Sequence, residues 1–452
     1  MTASEWMPIR LGGICTKIGS GATPRGGSDV YLPSGPYALV RSQNVHNDGF
    51  YRDGLAFIGE KHAAELENVE VLKGDVLLNL TGDSVARACQ VDQRVLPARV
   101  NQHVAIIRPD PDKLDPRFLR YFLVSPEMQT KLLSWAGSGG TRNALTKGMI
   151  ESFDVLAPKD VGEQRAIAHI LGTLDDKIEL NRRMHETLEA MARALFKSWF
   201  VDFEPVRAKA EGRDPGLPKA LADLFPDSFE GSKSGETPRG WDTPAAGSLL
   251  SLDKGLSYKG EFLADSGVPM VTLGCFLGQG RFNQRACKYY TGEFQSRHTV
   301  KPGDLLLANT DITQRREVLG SPGIVAPFGD ADVFLFTHHV YAVRFKKAAG
   351  TWKLFVYFML VSEEFRDRAA GFATGTTVLA LPHDAVLNLP LLAPPIELID
   401  AFNAVALPLL RRQWASEAES DTLAAFRDAL LPKLISGELR VKDADRIIGH
   451  VT

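Results

Sequence analysis

Short apolar runs alternate with polar, turn-forming clusters along most of the chain. "VLLNL" (76–80) and "HVAIIRP" (103–109) are bounded by Gly, Pro, Asn and Asp, and predict strands joined by turns. "DLLLAN" (304–309) and "HVYAVRF" (339–345) predict the same further on. After each pair comes a stretch of helical character, residues 115–136 and 351–372. A Gly/Thr loop, a strand ending in Leu-Ala-Pro and a long helix complete each set. The first long helix has the clearest signal. From Gly162 to about Phe200 there is no proline, and Ile170, Leu174, Ile178, Asn181, His185, Leu188, Ala192, Leu195 and Trp199 step by three and four. The stripe is heptad-like, and polar residues inside it, Asn181 and His185, usually fix register. At 1.5 Å per residue this helix is roughly 57 Å long, more than one domain needs. A second stripe runs through Ile399, Phe402, Ala406, Leu409, Leu423, Phe426, Leu430 and Leu434, and Pro408 is expected to kink or interrupt it.

These elements occur twice because the chain is written twice. "NQHVAIIRP" aligns with "THHVYAVRF" at an offset of 236, pairing His103 with His339. The same offset pairs Tyr121 with Tyr357, Ala144-Leu145 with Ala380-Leu381, and Leu156-Ala157-Pro158 with Leu392-Ala393-Pro394. "VLKGDVLLN" matches "VKPGDLLLA" at an offset of 229 through Gly74-Asp75 and Gly303-Asp304. A period this long is a domain duplication, since solenoid repeats run to roughly 20–50 residues. The fold class expected is α+β: two duplicated mixed α/β recognition domains separated by two long antiparallel coiled-coil-like helices. Its expected divisions are residues 1–160 (first domain), 161–205 (first long helix), 206–240 (linker), 241–394 (second domain), 395–440 (second long helix) and 441–452 (tail). The linker is rich in Pro, Gly, Ser and charge, which allows at most a short helix. The alternative is that both long helices are ordinary core helices.

Composition narrows the setting. With 452 residues, about three domains are expected at roughly 150 residues each. The four cysteines (Cys15, Cys89, Cys275, Cys287) form no C-x-x-C pair and no disulfide framework, which suggests a reducing compartment. No signal-like or membrane-length apolar run is present, so a cytoplasmic protein without a membrane partner is expected. Net charge is −3, with 18 basic and 18 acidic side chains in residues 1–160 and 15 and 14 in 241–394. Such balance gives a nucleic-acid partner no support from composition, although basic side chains gathered on one face could still bind one.

Catalytic patterns are missing. "GSGATPRGGS" (19–28) nearly spells a phosphate-binding loop, but Gly27 stands where that loop needs its lysine, so a Gly/Pro turn is the better reading. No G-x-G-x-x-G, H-E-x-x-H or G-x-S-x-G occurs in a suitable context. His338-His339 is a poor metal site if both lie on a strand, because neighbours there point to opposite faces. Asp83, Asp304 and Asp311 near strand ends are read as turn caps rather than as an acid–base pair. What recurs instead is polar loops: "TPRGGS", "VRSQNV", "TGDSVARA", "ARVNQH" and "GGTRNALTK" in the first copy, "KGLSYKGE", "NTDITQRRE", "FTHH" and "GTTVLA" in the second. Arg, Asn, Gln, Ser, Thr and Lys contact phosphates and base edges, but any solvated loop also favours them.

Residues 139–203, with the Leu-Ala-Pro strand end, Glu163-Gln164 and "ILGTLDDKIELN", resemble the central conserved region of the specificity subunits of type I restriction-modification systems. "LLPKLISGELRV" (430–441) resembles the end of that family's second conserved region, and the opening loops of both copies resemble the start of its target-recognition domains. The likeness extends over essentially the whole chain. One departure is "PPIELIDAFNAV", which lacks the Glu-Gln of the first copy.

The resemblance implies a non-catalytic DNA sequence-specificity subunit. Each half would read one half of a bipartite double-stranded DNA target, with the helices as spacer. Two methyltransferase (modification) subunits and two restriction (motor-nuclease) subunits are the implied partners. No cofactor is expected in this chain; S-adenosylmethionine, ATP and magnesium belong to the partners, whose reaction is adenine methylation. Candidate DNA-binding residues are Arg25, Arg41, Gln43, Asn44, Arg87, Arg142, Lys259, Gln314, Arg315, Arg316 and Thr377. Candidate subunit-docking residues are Glu163, Gln164, Ile170, Leu174, Ile178, Leu188, Leu195, Leu430 and Leu434. The rival readings are an interaction scaffold without direct DNA recognition and an enzyme with an unfamiliar site.

Overall fold

A computed structural model describes residues 5–137, 144–232, 235–278, 280–311, 317–346, 350–375 and 378–448. The chain divides into two compact units, Met1–Leu180 with Glu419–Thr452, and Asn181–Ala418. In the first unit, an antiparallel sheet has the order Cys15–Ser20, Val104–Pro109, Val76–Asn79, Ala88–Gln90. A second, mixed sheet has the order Ala56–Ile58, Tyr37–Val40, Ala98–Val100, Glu70–Val71, with its central pair parallel. Alternation explains why the central strands are apolar throughout. Val76, Leu78, Ala105 and Ile107 face the core that the helices cover, whereas Leu77, Val104 and Ile106 face the core shared with the mixed sheet. Successive side chains point to opposite faces, and here both faces are buried.

The second unit repeats this plan. Its antiparallel sheet runs Leu250–Lys254, Val340–Phe345, Leu305–Ala308, Pro322–Ile324, and a five-stranded sheet contains the parallel pair Val268–Val271 and Phe334–Phe336. Leu305, Leu307, Tyr341 and Val343 face one core; Leu306, Ala308, Val340 and Ala342 face the other. The duplication extends to polar side chains. Asp75 accepts from the Leu72 amide at 2.7 Å and from Arg108 Nε at 2.6 Å. Its counterpart Asp304 accepts from the Lys301 amide at 3.1 Å and pairs with Arg344 at 3.6 Å.

Each single helix expected at 115–136 and 351–372 is two. Pro116–Val124 and Pro126–Gly137 meet at Ser125, which is extended (φ −62°, ψ 145°) because the following proline disfavours a helical conformation there. Lys353–Val361 and Glu363–Gly371 break at Ser362, whose hydroxyl accepts from the Phe365 amide at 3.3 Å and caps the second piece.

The long helices are Val161–Phe200 and Ile396–Ile435, 40 residues each. Within the first unit they are antiparallel, since Asp175 pairs with Arg427 and Lys177 with Glu419. Within the second, Gln413 donates to the His185 carbonyl at 3.2 Å and Phe196 packs on Phe402, again antiparallel. Asn181, Gln413 and Ser416 are buried, so the stripe carries a polar stretch. Pro408 does not end the second helix. It removes the donor that would reach the Ala404 carbonyl, but both residues are exposed and water can serve that oxygen.

The segment expected as a linker is more ordered than its composition suggests. It forms Glu204–Ala210, Lys219–Ala222 and a ribbon of Phe229–Ser232 with Gly235–Pro238. Phe225 is buried against Trp199, and the Lys209 ammonium donates to the Ala222 and Phe225 carbonyls, capping the short second helix.

Candidate nucleic-acid interface

In each unit the polar loops gather at one end of the antiparallel sheet. In the first, the opening loop leaves the strand Cys15–Ser20 at Gly21, whose amide donates to the Asn101 carbonyl at 3.1 Å. A Cβ at Gly21 would lie 1.7 Å from the Val100 carbonyl oxygen, so glycine is required by contact alone. Residues 80–87 follow Val76–Asn79, and the Leu80 amide donates to the His103 carbonyl at 2.9 Å. Leu80 in turn accepts from the Leu145 amide at 2.8 Å, and Thr81 bridges Ala144. The turn 101–103 is tied to the loop after Tyr37–Val40 by the Asn101 amide on the Val40 carbonyl at 3.0 Å.

The second unit has the same ties. Leu256 donates to the Phe336 carbonyl at 2.8 Å, Asn309 to His339 at 3.0 Å, Leu381 to Asn309 at 2.8 Å and Thr337 to Val271 at 3.0 Å. A Cβ at Gly255 would meet the Phe336 and Thr337 carbonyl oxygens at 2.3 Å. The near-P-loop is thus an opening loop. Gly26 and Gly27 have positive φ (+99° and +63°), and the next element is a one-turn 3₁₀ helix, Gly27–Val30.

The candidate DNA contacts divide into groups. Arg25 and Lys259 are exposed, and Arg87 is half-buried on the 80–87 loop. Lys259 lies 3.8 Å from Glu261, an exposed pair of little energetic consequence. Arg41 lies 5.3 Å over the Tyr31 ring and donates to the Gly54 carbonyl, which also accepts from Gln43 at 3.0 Å. Asn44 is a correction. It is fully buried; its Oδ1 accepts from the Arg41 amide at 3.0 Å and its Nδ2 donates to the Tyr51 carbonyl at 2.9 Å. It builds the loop and offers nothing to a base. Arg142, Gln314, Arg315, Arg316 and Thr377 lie outside the described residues.

His338 and His339 sit in a turn, not on a strand, with ring centroids 3.9 Å apart. Burial, then the positive potential of His338 and Lys254, lowers the His339 pKa from its ordinary value, so the ring is neutral at pH 7. No group of three potential metal ligands occurs among the described residues. The Asp311 carboxylate accepts from the Val318 amide at 2.7 Å and the Leu319 amide at 3.1 Å. Sequence reasoning used His103 and His339 to set the repeat register, weighed His339 with His338 as a metal site, and missed their threonine partners. Thr81 Oγ1 lies 2.7 Å from His103 Nδ1, and Thr310 Oγ1 lies 2.9 Å from His339 Nδ1. The signal was present, because Thr81 and Thr310 are themselves matched at the offset of 229.

Residues 3–190 match the family described as "Type I restriction modification DNA specificity domain". The chain is 26% identical over 422 residues to the Type I restriction enzyme HindI specificity subunit of Haemophilus influenzae, covering 82% of this chain and 87% of that protein. It is 25% identical to the MjaIX specificity subunit of Methanocaldococcus jannaschii, covering 72% of this chain and 69% of the relative. Residues 3–190 thus match the type I restriction-modification DNA specificity family, and the chain as a whole is similar to its specificity subunits. Its fold resembles the crystal structure of the type I system S subunit from M. genitalium, with a TM-score of 0.56 at 15% identity over 96% of this chain and 97% of that one. Specificity subunits are the non-catalytic members of their complexes, which accords with a site made of hydrogen-bonding loops.

The candidate docking residues of this specificity subunit mostly face inward. Ile170, Leu174, Leu430 and Leu434 are buried in the first unit's own core, and Ile178 packs against it. Leu195 packs against the second unit's core. Gln164 is fully buried; it accepts from the Asp115 amide at 2.9 Å and donates to the Pro158 carbonyl at 2.8 Å. Gln164, Ile170, Leu174, Leu430 and Leu434 hold the first domain to its helices and are buried, a correction to their reading as docking positions, whereas Ile178 and Leu195 are half-buried. Glu163 and Leu188 remain half-exposed. The Glu-Gln departure in the second copy also has a reason. At the offset of 236 Gln164 is matched by the exposed Asp400, and about one turn later Asn403 donates to the Thr351 carbonyl at 2.7 Å, supplying the lost anchor.

Proposed function

We propose that this specificity subunit reads a bipartite double-stranded DNA target, each unit taking one half, within a complex containing two methyltransferase and two restriction subunits. The long helices serve as spacer and as the docking region for those partners. The observation that carries this reading is the convergence, in both copies, of the same polar loops at the same sheet end through matching hydrogen bonds. Arg25, Arg41, Gln43 and Arg87 contact the first half-site and Lys259 the second; Arg142, Gln314, Arg315, Arg316 and Thr377 remain candidates from the sequence. Balanced charge means that the partners contribute much of the phosphate contact.

The test is retention of DNA by the complex with the cognate methyltransferase subunit, using duplexes randomised across a target-length window. Recovery of a two-part motif is the expected outcome, and Arg87→Ala should change binding through the first part alone. A change of preferred base would mark direct readout, and uniform weakening a phosphate contact. No retention of any duplex by the complex would leave the scaffold reading, whose motive is the near-neutral charge.

A further inference from the structure

The matched histidines stand where the loops converge. His103 and His339 immediately precede the strands Val104–Pro109 and Val340–Phe345. Each faces a threonine just past the end of the neighbouring strand. The backbone does not need these side-chain bonds, because the Leu80 and Asn309 amides already tie both turns to the adjacent loops. Both rings are half-exposed. A Thr–His pair kept in both copies, outside the core and at the loop end, has the placement of a recognition element.

The two copies differ in what the ring presents. In the first, Gln102 Nε2 lies 2.9 Å from His103 Nε2, so both ring nitrogens are engaged and the exposed Gln102 amide is held in one orientation. In the second, His338 replaces the glutamine, and His339 Nε2 has no hydrogen bond among the described residues. A hydroxyl that donates to Nδ1 leaves the proton on Nε2, which can then donate to a purine N7, guanine O6 or thymine O4. A fixed glutamine amide suits the N6/N7 edge of adenine.

We propose that these turns are base-reading elements: Gln102, positioned by His103 and Thr81, for the first half of the target, and His339, oriented by Thr310, for the second. The proposal rests on the DNA-recognition reading above and adds the residues that discriminate. The first half contains an adenine opposite Gln102; the second contains an acceptor edge opposite His339.

The experiment compares the wild-type complex, with its cognate methyltransferase subunit, to variants on one randomised duplex library, sequencing the retained DNA. Wild type must first yield a two-part motif; if it does not, the DNA-recognition reading itself fails. Given that motif, His339→Ala should lose preference at one base pair of the second half by about tenfold or more, with the first half unchanged. Gln102→Ala should do the converse, at an adenine. Thr310→Val and Thr81→Val keep the ring but release it, and should blur the same positions. Unchanged motifs in the Gln102 and His339 variants, or weakening equal on every sequence, would overturn the proposal and leave the pairs as loop staples. Should an alanine variant fail to fold by thermal melting, the threonine variants decide by the same criteria.

Discussion

Replacing Asp175 with alanine tests what joins the long helices to the first domain. The Asp175 carboxylate accepts from Arg427 Nη1 at 2.9 Å, Arg120 Nη1 at 2.6 Å and Tyr121 Oη at 2.6 Å. It thereby connects both long helices to the helix Pro116–Val124. The side chains of Arg120, Arg427 and Asp175 are only 7%, 15% and 16% exposed, so water cannot replace the carboxylate. Removing one partner of a buried pair costs about 3–5 kcal/mol, chiefly because a charge is left uncompensated. Asp175→Asn keeps the shape and one acceptor and should cost less, about 1–3 kcal/mol. Hydrogen exchange under native conditions resolves the units separately, so protection should fall in the first unit and hold in the second. Burial raises the Asp175 pKa, but Arg120, Tyr121 and Arg427 outweigh it and the net shift is downward. The stabilisation is therefore complete above the unfolded carboxylate value of about 3.9 and is lost as pH falls through the lower, folded value. The acid limb of the first unit should accordingly be shallower in Asp175→Asn than in wild type. A change within about 0.5 kcal/mol for Asp175→Ala, or a loss shared equally by both units, would refute the reasoning.

Gly21→Ala should displace the opening loop and abolish first-half recognition in the duplex-retention assay, because the obstructing atoms at 1.7 and 2.6 Å are backbone. Gly27→Ala is the control: nothing lies within 4 Å, so only its φ of +63° opposes the change, at about 1–2 kcal/mol. Pro408→Ala should raise stability by about 1–3 kcal/mol in thermal melts, because it restores a donor to the Ala404 carbonyl without changing a buried contact. Burial pushes the Cys15 and Cys89 thiols up to about 12, so iodoacetamide at pH 8 should leave both unlabelled until the chain is denatured.

Much of the fold was legible because its signals are periodic. The continuous apolar runs marked strands buried on both faces, and the three-and-four stripe within a proline-free run from Gly162 marked the first long helix, observed at Val161–Phe200. What escaped has local causes. Ser125-Pro126 and Ser362 break helices through side-chain and proline chemistry that a hydrophobic pattern does not register. The 206–240 segment is ordered by distant partners, Phe225 on Trp199, which no window over the linker contains. Residue type pointed to loops that converge, yet it could not separate Arg25, which faces solvent, from Asn44, which is consumed by its own turn. The apolar docking candidates misled for the opposite reason: a stripe marks the face a helix buries, and here that face is turned to its own domain.

The two copies fasten to the long helices by unlike means. At the position matched to Arg120, the second copy has Val356, and its joint is a ring cluster of Phe196, Trp199, Phe200, Phe355, Phe358 and Phe402. Cold loosens apolar joints, whereas acid loosens carboxylate ones. Siblings from one ancestral module have thus acquired separate weaknesses, and transplanting either onto the other's rods would strand a guanidinium among phenylalanines.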